Sequence, residues 1–562
     1  MANISSKSEK IRIFALGGLD EDGKNMYCIE VDDQIYILEA GFKYPDGKET
    51  LGIEFLIPDF SYLIENQNRI AGIIITHGHD DVMGALQYLL KQIKMDVYTS
   101  PLTAREIRRV LENENITDIR IHEVLRNDQK RIGKHKVLFF PVTHSYPQTF
   151  GVAISTNQGY IVYSGEFIED YDSLDDFYRA DTTIATQLRQ EGVLVLMQDS
   201  KGADNAGHTA PQHRVASKLD YVLEKNYDRR IFIACYTQSV FRLQEIIREC
   251  IAFNRKICLV SQESQTLVKD LYELGWNLPD NVFYAPEQIV KMGIENPVVL
   301  ITGQGKGLVK SLSNISNNED DLIDFKNDDV VVVACPVLPG AEREFKQMEN
   351  DIYKDEGEII MLDQNVASMH PSQDDLKMMF FSLGAKYYIP VKGEYRKLIM
   401  NSNIAVQMGY NPSQIIILDN GQVATFENKK LKSCSMEFDL HDTMIDGKEN
   451  WDMAGVVLKD REILSTDGVM ILAIGIDSKT KKIINGPDVQ TRGLIYLKDA
   501  EYISSDVAQI METTINEAVE NHTYDNVETR NIIRDKVSRY LFRQIAKKPM
   551  ILPVILEINT SL

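Results

Sequence analysis

The sequence predicts a multidomain α/β protein. Its 562 residues and 64.0 kDa correspond to roughly three or four domain-sized units at ~150 residues each. The first 200 residues hold short β-rich runs at regular spacing, with few helices between them. From about residue 205, strands and helices alternate one for one, the pattern of a parallel sheet wrapped by helices.

In chain order, the β-rich part predicts strands at Arg12–Leu16, Met26–Val31, Ile35–Glu39, Gly72–Thr76, Lys136–Phe140, Gly151–Ser155 and Tyr160–Ser164, with helices at Val82–Gln92 and Pro101–Asn113. The alternating part predicts helix Pro211–Lys225, strand Arg230–Ala234, helix Ser239–Phe253 and strands Lys256–Val260, Val298–Thr302 and Val330–Cys335. A mixed pattern returns from 355 to 425. Residues 429–455 are polar, carry Asn-Lys-Lys and Asp-Gly turn signals, and read as a linker. The tail predicts strands Gly468–Ile476 and Leu494–Tyr496, helices over 506–520 and 527–546, and a last strand, Met550–Ile558.

Composition excludes several classes. Hydrophobic residues at 44% and charged residues at 26% are ordinary for a globular chain and exclude global disorder. Sixty-one Lys and Arg against 83 Asp and Glu give −22, which argues against a generally basic, nucleic-acid-coating surface but not against a local groove. No apolar run approaches the ~18 residues of a membrane span, and the first residues form no signal segment. Six scattered cysteines without a Cys-x-x-Cys pair fit reduced thiols and a cytoplasmic protein.

The sharpest feature is Ile73-Ile-Ile-Thr-His77-Gly-His79-Asp-Asp81-Val82-Met-Gly84. An apolar strand runs straight into a turn packed with metal-binding groups. Residues two apart in an extended segment project to one side, so His77 and His79 can reach one cation. Asp81 follows within reach of a second cation or an activated water. Imidazole with carboxylate suits Zn²⁺ or Mn²⁺. Two of only ten histidines flanking a glycine beside two aspartates speak against coincidence.

This segment resembles the His-x-His-x-Asp-His motif of the metallo-β-lactamase superfamily, with Val82 where the last histidine would stand. The opening Phe14-Ala-Leu-Gly-Gly-Leu-Asp-Glu-Asp-Gly-Lys-Asn-Met-Tyr resembles ribonuclease J, a nuclease family of the β-CASP branch. So do Ile57-Pro-Asp-Phe, Thr143-His144-Ser, Ser164-Gly-Glu166-Phe, Gln198-Asp199-Ser200, Pro390-Val-Lys392-Gly-Glu-Tyr-Arg, Gly486-Pro-Asp-Val-Gln-Thr-Arg-Gly and Lys548-Pro-Met-Ile-Leu-Pro-Val. The resemblance implies a metallo-β-lactamase αββα sandwich in two parts, 1–205 and 350–428. A β-CASP parallel-sheet domain at 206–349 is inserted between them, and a C-terminal α/β domain at 456–562 follows the linker.

The resemblance also implies a site. In the family one metal is held by residues matching His77, His79, His144 and the bridging Glu166, a glutamate where an aspartate is usual. The second metal uses positions matching Asp81, Val82, Glu166 and Lys392, and Val82 and Lys392 are degenerate there. The expected cofactor is therefore one divalent ion, Zn or Mn, and not two. An inward Lys392 would repel a second cation and could pair with Asp81 or Glu166; an outward one would face solvent. Asp81, Asp199 and His370 are the implied catalytic residues. Val366, Ala367, Ser368, Met369, His370 and Ser372 match the family's phosphate-holding loop, with Met369 and Pro371 replacing glycines. Glu39 stands at the superfamily's first aspartate and reads as structural.

The implied function is a ribonuclease of RNA processing and decay (rRNA processing, mRNA decay), a 5′-to-3′ exonuclease with endonuclease capacity and attenuated activity. The pattern of losses resembles the divergent second paralogue found beside a fully equipped member of the family in Firmicutes-like bacteria. Expected partners are RNA, that paralogue in a hetero-oligomer, and further copies of the chain in a dimer or tetramer through the C-terminal domain, with no membrane. The alternative is a catalytically inactive scaffold that binds the active enzyme and RNA. Three other features stay open. Tyr236–Arg242 at a helix start reads as an RNA-channel wall or an ordinary cap. Thr302-Gly-Gln-Gly-Lys-Gly lacks the ending of a P-loop. The helix around Arg530–Lys548, with seven basic residues and one acidic, reads as an RNA or partner surface or as a solvated face.

Overall fold

The computed structural model describes residues 8–45, 53–279, 281–320, 323, 325–337, 342–362, 366–446, 449–451, 456–494 and 500–559. The chain divides into two compact units, Met1–Tyr44 with Phe55–Thr443, and Pro45–Glu54 with Met444–Leu562.

The first unit is built on three sheets. An eight-stranded sheet runs in the order Lys430–Met436, Gln422–Glu427, Ile11–Gly17, Met26–Val31, Gln34–Leu38, Ile70–Ile75, Val97–Thr99, Ile121–Glu123. A six-stranded sheet has the order Tyr387–Val391, Val193–Asp199, Gly159–Tyr163, Phe150–Thr156, His135–Pro141, Gln129–Ile132. Their facing sides supply one core, in which Ile13, Tyr27, Tyr36 and Ile74 meet Phe139, Val152, Ile161, Val195 and Ile389. The other side of the second sheet is covered by Thr182–Glu191, Gln373–Leu383 and Tyr395–Gln407, through Leu188, Leu376, Phe380, Leu383 and Ile404. Two sheets face to face with helices outside form the expected αββα sandwich.

The third sheet is wholly parallel, in the order Phe283–Tyr284, Ile257–Leu259, Val298–Gly303, Ile231–Tyr236, Val330–Val333, Glu358–Met361. Its strands are apolar on both faces, because one core lies under each: Ile231, Ile233, Val330 and Val332 on one side, Phe232, Ala234, Val331 and Val333 on the other.

The second unit has a three-stranded sheet, Ile483–Arg492, Val469–Asp477, Met550–Ile558. Helices Ala500–Glu520 and Asn526–Ile545 bury Val507, Met511, Ile533, Val537 and Leu541 against Met470, Leu472, Ile474 and Ile476. The opposite face leaves Ile471, Leu552, Leu556 and Ile558 exposed.

Several local expectations are corrected. The helix expected over Val82–Gln92 is two pieces, Asp80–Met83 and Leu86–Gln92; the chain breaks where Gly84 lies so close to Phe42 that a Cβ would sit 2.2 Å from its ring. The helix expected from Pro211 begins at Ala216. The linker at 429–455 is in part ordered: Asn428 and Lys429, with φ of 52° and 59°, form a tight turn, and Lys430–Met436 pairs back on Gln422–Glu427. Lys430–Met436 is a mostly exposed edge strand, which is why its polar sequence reads as loop. The inserted parallel sheet passes the expected boundary at 349, because Glu358–Met361 pairs with Val330–Val333. Of the strand expected at 494–496, residues 495 and 496 lie outside the described residues, as do 447–448 and 452–455 of the expected linker. All six cysteines are free thiols. Among the described residues no helix is long and apolar enough to cross a membrane.

Candidate metal centre

The buried strand Ile70–Ile75 ends at Thr76, and the chain turns through His77-Gly78-His79 into the short helix Asp80–Met83. Gly78 permits a close approach: a Cβ there would stand 2.5 Å from Glu106 Oε2 and 2.6 Å from the Tyr146 hydroxyl. His77, His79 and His144 form a triangle with ring centroids 4.4, 4.8 and 5.0 Å apart. Glu166 closes it, its Oε1 lying 3.5 Å from His77 Nε2 and its Oε2 3.2 Å from His144 Nε2. One ligand atom from each of the four lies within 4.8 Å of every other.

The donor set fits a divalent cation. His77 Nε2 is buried without a hydrogen-bond partner, which is costly unless something else occupies its lone pair. Burial, reinforced by neighbouring positive charge, holds the His77 and His144 imidazoles well below their ordinary range, and burial takes His79 down to about 4. Neutral imidazole is the form that ligates. His144 is oriented by the Met369 carbonyl, 2.8 Å from its Nδ1, leaving Nε2 toward Glu166. His79 Nε2 lies 3.1 Å from the Gln238 carbonyl, at the start of the inserted sheet's first crossover.

The neighbouring position is different. Val82 is buried, and its polar contacts are those of its backbone: its carbonyl accepts from Ala40 N and its N–H donates to the His79 carbonyl. Lys392 follows the strand Tyr387–Val391 with φ of 62°, which turns its side chain inward to 1% exposure. Its ammonium pairs with Asp81 Oδ2 at 2.8 Å and with Glu166 Oε1. Burial by itself would raise the Asp81 carboxyl; the charges of Lys392 and Lys201 outweigh it and hold it well below the usual range. A buried ammonium thus stands between the two carboxylates.

A second cluster joins Glu166, Asp199 and His370. His370 Nδ1 is 2.8 Å from Asp199 Oδ2 and 3.6 Å from Glu166 Oε2. Val366, Ala367, Ser368, Met369 and His370 line a cleft of about 450 Å³ that opens over the centre. Ser372 does not face it. That residue is buried and capped into the start of Gln373–Leu383, with its Oγ 2.8 Å from Thr209 Oγ1, so its expected substrate contact is corrected to a packing role. The cleft's far wall comes from the carboxyl ends of the parallel strands, at Tyr236, Gln238, Gln304 and Pro336, where open α/β sheets collect their ligands. Arg242, in the same segment, is held by Glu245 and the His213 carbonyl.

Lys201, Asp22, Tyr44 and Asp80 line the cleft as well, and no motif marks them for it. Burial pushes Asp80 up to about 6, with Tyr44 donating to it at 3.3 Å. The available signal for Lys201 was its place two residues after Asp199.

Glu39 is fully buried and accepts from Thr76 N and Oγ1 at 3.1 and 2.7 Å, fixing the strand end that carries His77. Burial nevertheless pushes its carboxyl from an ordinary 4.5 up to about 7. Below pH 4.5 both folded and unfolded states hold this proton. Between 4.5 and 7 only the unfolded state releases it freely, so stability falls as pH rises and the loss is complete above about 7. We expect metal-free protein to lose up to about 3 kcal/mol through this group between pH 4 and 8, and Glu39→Gln to flatten that slope in denaturant titrations. An unchanged slope in the variant would refute the assignment.

A family model described as Beta-lactamase superfamily domain matches residues 53–220. One described as Ribonuclease J, beta-CASP domain matches 228–352, and one described as Ribonuclease J C-terminal domain matches 456–558. The protein named Ribonuclease J 2 in Staphylococcus epidermidis is 30% identical over 561 residues, covering 99% of this chain and 100% of the relative. Its namesake in Streptococcus pyogenes serotype M3 is 31% identical, covering 98% and 100%. A crystal structure of a protein of unknown function from Enterococcus faecalis V583 shares the fold at TM-score 0.51 and 12% identity, over 74% of this chain and 100% of that one. Similarity at this level along almost the whole chain, through all three kinds of domain, means that the chain belongs to the ribonuclease J family.

Proposed function

We propose that this chain is a metal-dependent hydrolase of RNA phosphodiester bonds, a 5′-to-3′ exoribonuclease with endonucleolytic capacity, working on one cation and therefore slowly. The observation that carries the reading is the gathering of His77, His79, His144 and Glu166 within 4.8 Å, and the Lys392 ammonium between Asp81 and Glu166 supports one ion in place of two. His77, His79, His144 and Glu166 would hold the ion, zinc or manganese, which when bound supplies Lewis acidity and a water of lowered pKa. His370 has Nδ1 committed to Asp199, so Nε2 is the atom that can carry a proton toward a leaving oxygen. Asp199 orients that imidazole and Asp81 stays ionised beside Lys392. The loop 366–370 binds the strand along the cleft wall. The uncovered apolar sheet face of the second unit supports a homodimer or tetramer, and the family supports pairing with an active paralogue in the cytoplasm.

A second reading, a non-cutting subunit that binds RNA and an active enzyme, is favoured by the same ion pair, because Lys392 neutralises the bridging carboxylate without metal. Incubation with 5′-monophosphorylated RNA in Mn²⁺ separates the two. Stepwise release of mononucleotides from the 5′ end is expected, roughly a hundredfold slower than in a two-metal relative, taking the loss of one charge-stabilising partner as the guide. No release above background, together with co-elution with the paralogue, would favour the non-cutting subunit.

A further inference from the structure

Asp199 and Val391 are parallel partners in the second sheet. The segments leaving these strands therefore run side by side, and a Cβ built on Gly393 would stand 3.9 Å from the Lys201 Cα. This register sets two lysines at one end of the sheet with different tasks. Lys392 turns inward and is consumed by Asp81 and Glu166. Lys201 turns to the cleft wall, its backbone N–H donating to Asp199 Oδ1 at 2.8 Å and its side chain 30% exposed.

The ammonium of Lys201 rests 2.7 Å from Asp22 Oδ1, and Asp22 is 59% exposed. An ion pair with one partner largely in water contributes little, and a better anion displaces it. The cleft supplies a reason for one to come. Its lining includes the carboxylates Asp22, Asp80, Asp81 and Glu166 beside Lys43, Lys201 and Arg242, and those carboxylates repel a polyanion unless a cation faces it. The chain as a whole carries −22, so attraction has to be local.

We propose that Lys201 is a phosphate-binding residue: its ammonium holds a backbone phosphodiester of an RNA strand lying in the cleft, and Asp22 is the placeholder it leaves to do so. This rests on the RNA-hydrolase reading and adds to it a cation on the substrate side of the centre, where Lys392 cannot serve.

The test is fluorescence anisotropy of a labelled single-stranded, 5′-monophosphorylated RNA with the full chain in EDTA, from 50 to 200 mM salt, so that binding is read without catalysis. Lys201→Met is expected to weaken binding about fivefold and to lower the salt slope by about 0.7, the share of one phosphate contact on a single strand. Lys201→Arg should keep both. Asp22→Asn should tighten binding about threefold, because it frees the ammonium, and this variant keeps the test alive if Lys201→Met folds poorly. Wild-type affinity and slope in Lys201→Met, or weaker binding in Asp22→Asn, would overturn the assignment while leaving RNA binding intact. A wild-type chain that binds no RNA would overturn the RNA reading as well.

Discussion

Replacing His77 and His79 together by alanine is expected to bring bound metal from about one ion per chain to near none, and RNA hydrolysis down by roughly a thousandfold or more. The four donors His77, His79, His144 and Glu166 gather within 4.8 Å, and two of them are lost. Removing a mere supporting contact around a metal ligand already costs about 10–100-fold, so losing two direct donors exceeds that. His77 is fully buried with Nε2 unpartnered, so truncation leaves a cavity but no new orphan donor, and the fold should survive. Metal content by mass spectrometry, hydrolysis of 5′-monophosphorylated RNA and thermal melting would be read together. Equal hydrolysis in variant and wild type, both well folded, would mean that the activity has another source.

Lys392→Met is expected to have an opposite signature with and without metal. Methionine keeps the unbranched stem and removes the charge. Glu166, at 1% exposure, and Asp81 then lose the ammonium between them, and the charge of Lys201 acts on Asp81 alone. Breaking a buried pair from one side costs about 3–5 kcal/mol, so in EDTA the variant should unfold at lower denaturant than wild type. Manganese should restore it by more than it raises wild type, with up to two ions bound per chain where wild type binds one. The penalty should shrink as pH falls, since Asp81 without Lys392 regains a protonatable carboxyl. An unaltered midpoint in EDTA and an unaltered metal stoichiometry would remove the argument that Lys392 stands in place of a second cation.

Much of the fold is legible in the chain because its strands are strongly patterned. Met26–Val31, Pro101–Asn113 and Met550–Ile558 have the bounds that local sequence predicts. Other elements are set by tertiary partners and not by their own residues. Lys430–Met436 is polar because it is an exposed edge, and pairing makes it a strand. Glu358–Met361 belongs to the inserted sheet because of a partner nearly thirty residues earlier, not because of its own composition. The turn proposed to bind metal is marked by two histidines around a glycine, since those candidate ligands are local. The rest of the centre is not local. Whether Lys392 faces solvent or Asp81 depends on one backbone angle, φ of 62°, which its sequence does not encode except in the glycine that follows. Ser372 matches a motif and yet turns into a helix cap, since the same hydroxyl serves either purpose. Lys201 and Asp22 come together only through the packing of distant loops, and no spacing rule joins them.

The first sheet bears on how the molecule comes into being. Its strand Ile11–Gly17 lies between Met26–Val31 and Gln422–Glu427, so the earliest strand made waits for one of the last in its unit. The centre waits likewise, since Asp81 meets its counter-charge only when Lys392 has been synthesised. A nascent chain leaves the ribosome at about 5–20 residues per second, which separates those two events by tens of seconds at the slower rate. During that interval the half-built site has neither its lysine nor its closing strand. The chain thus acquires its centre only after most of its message has been read.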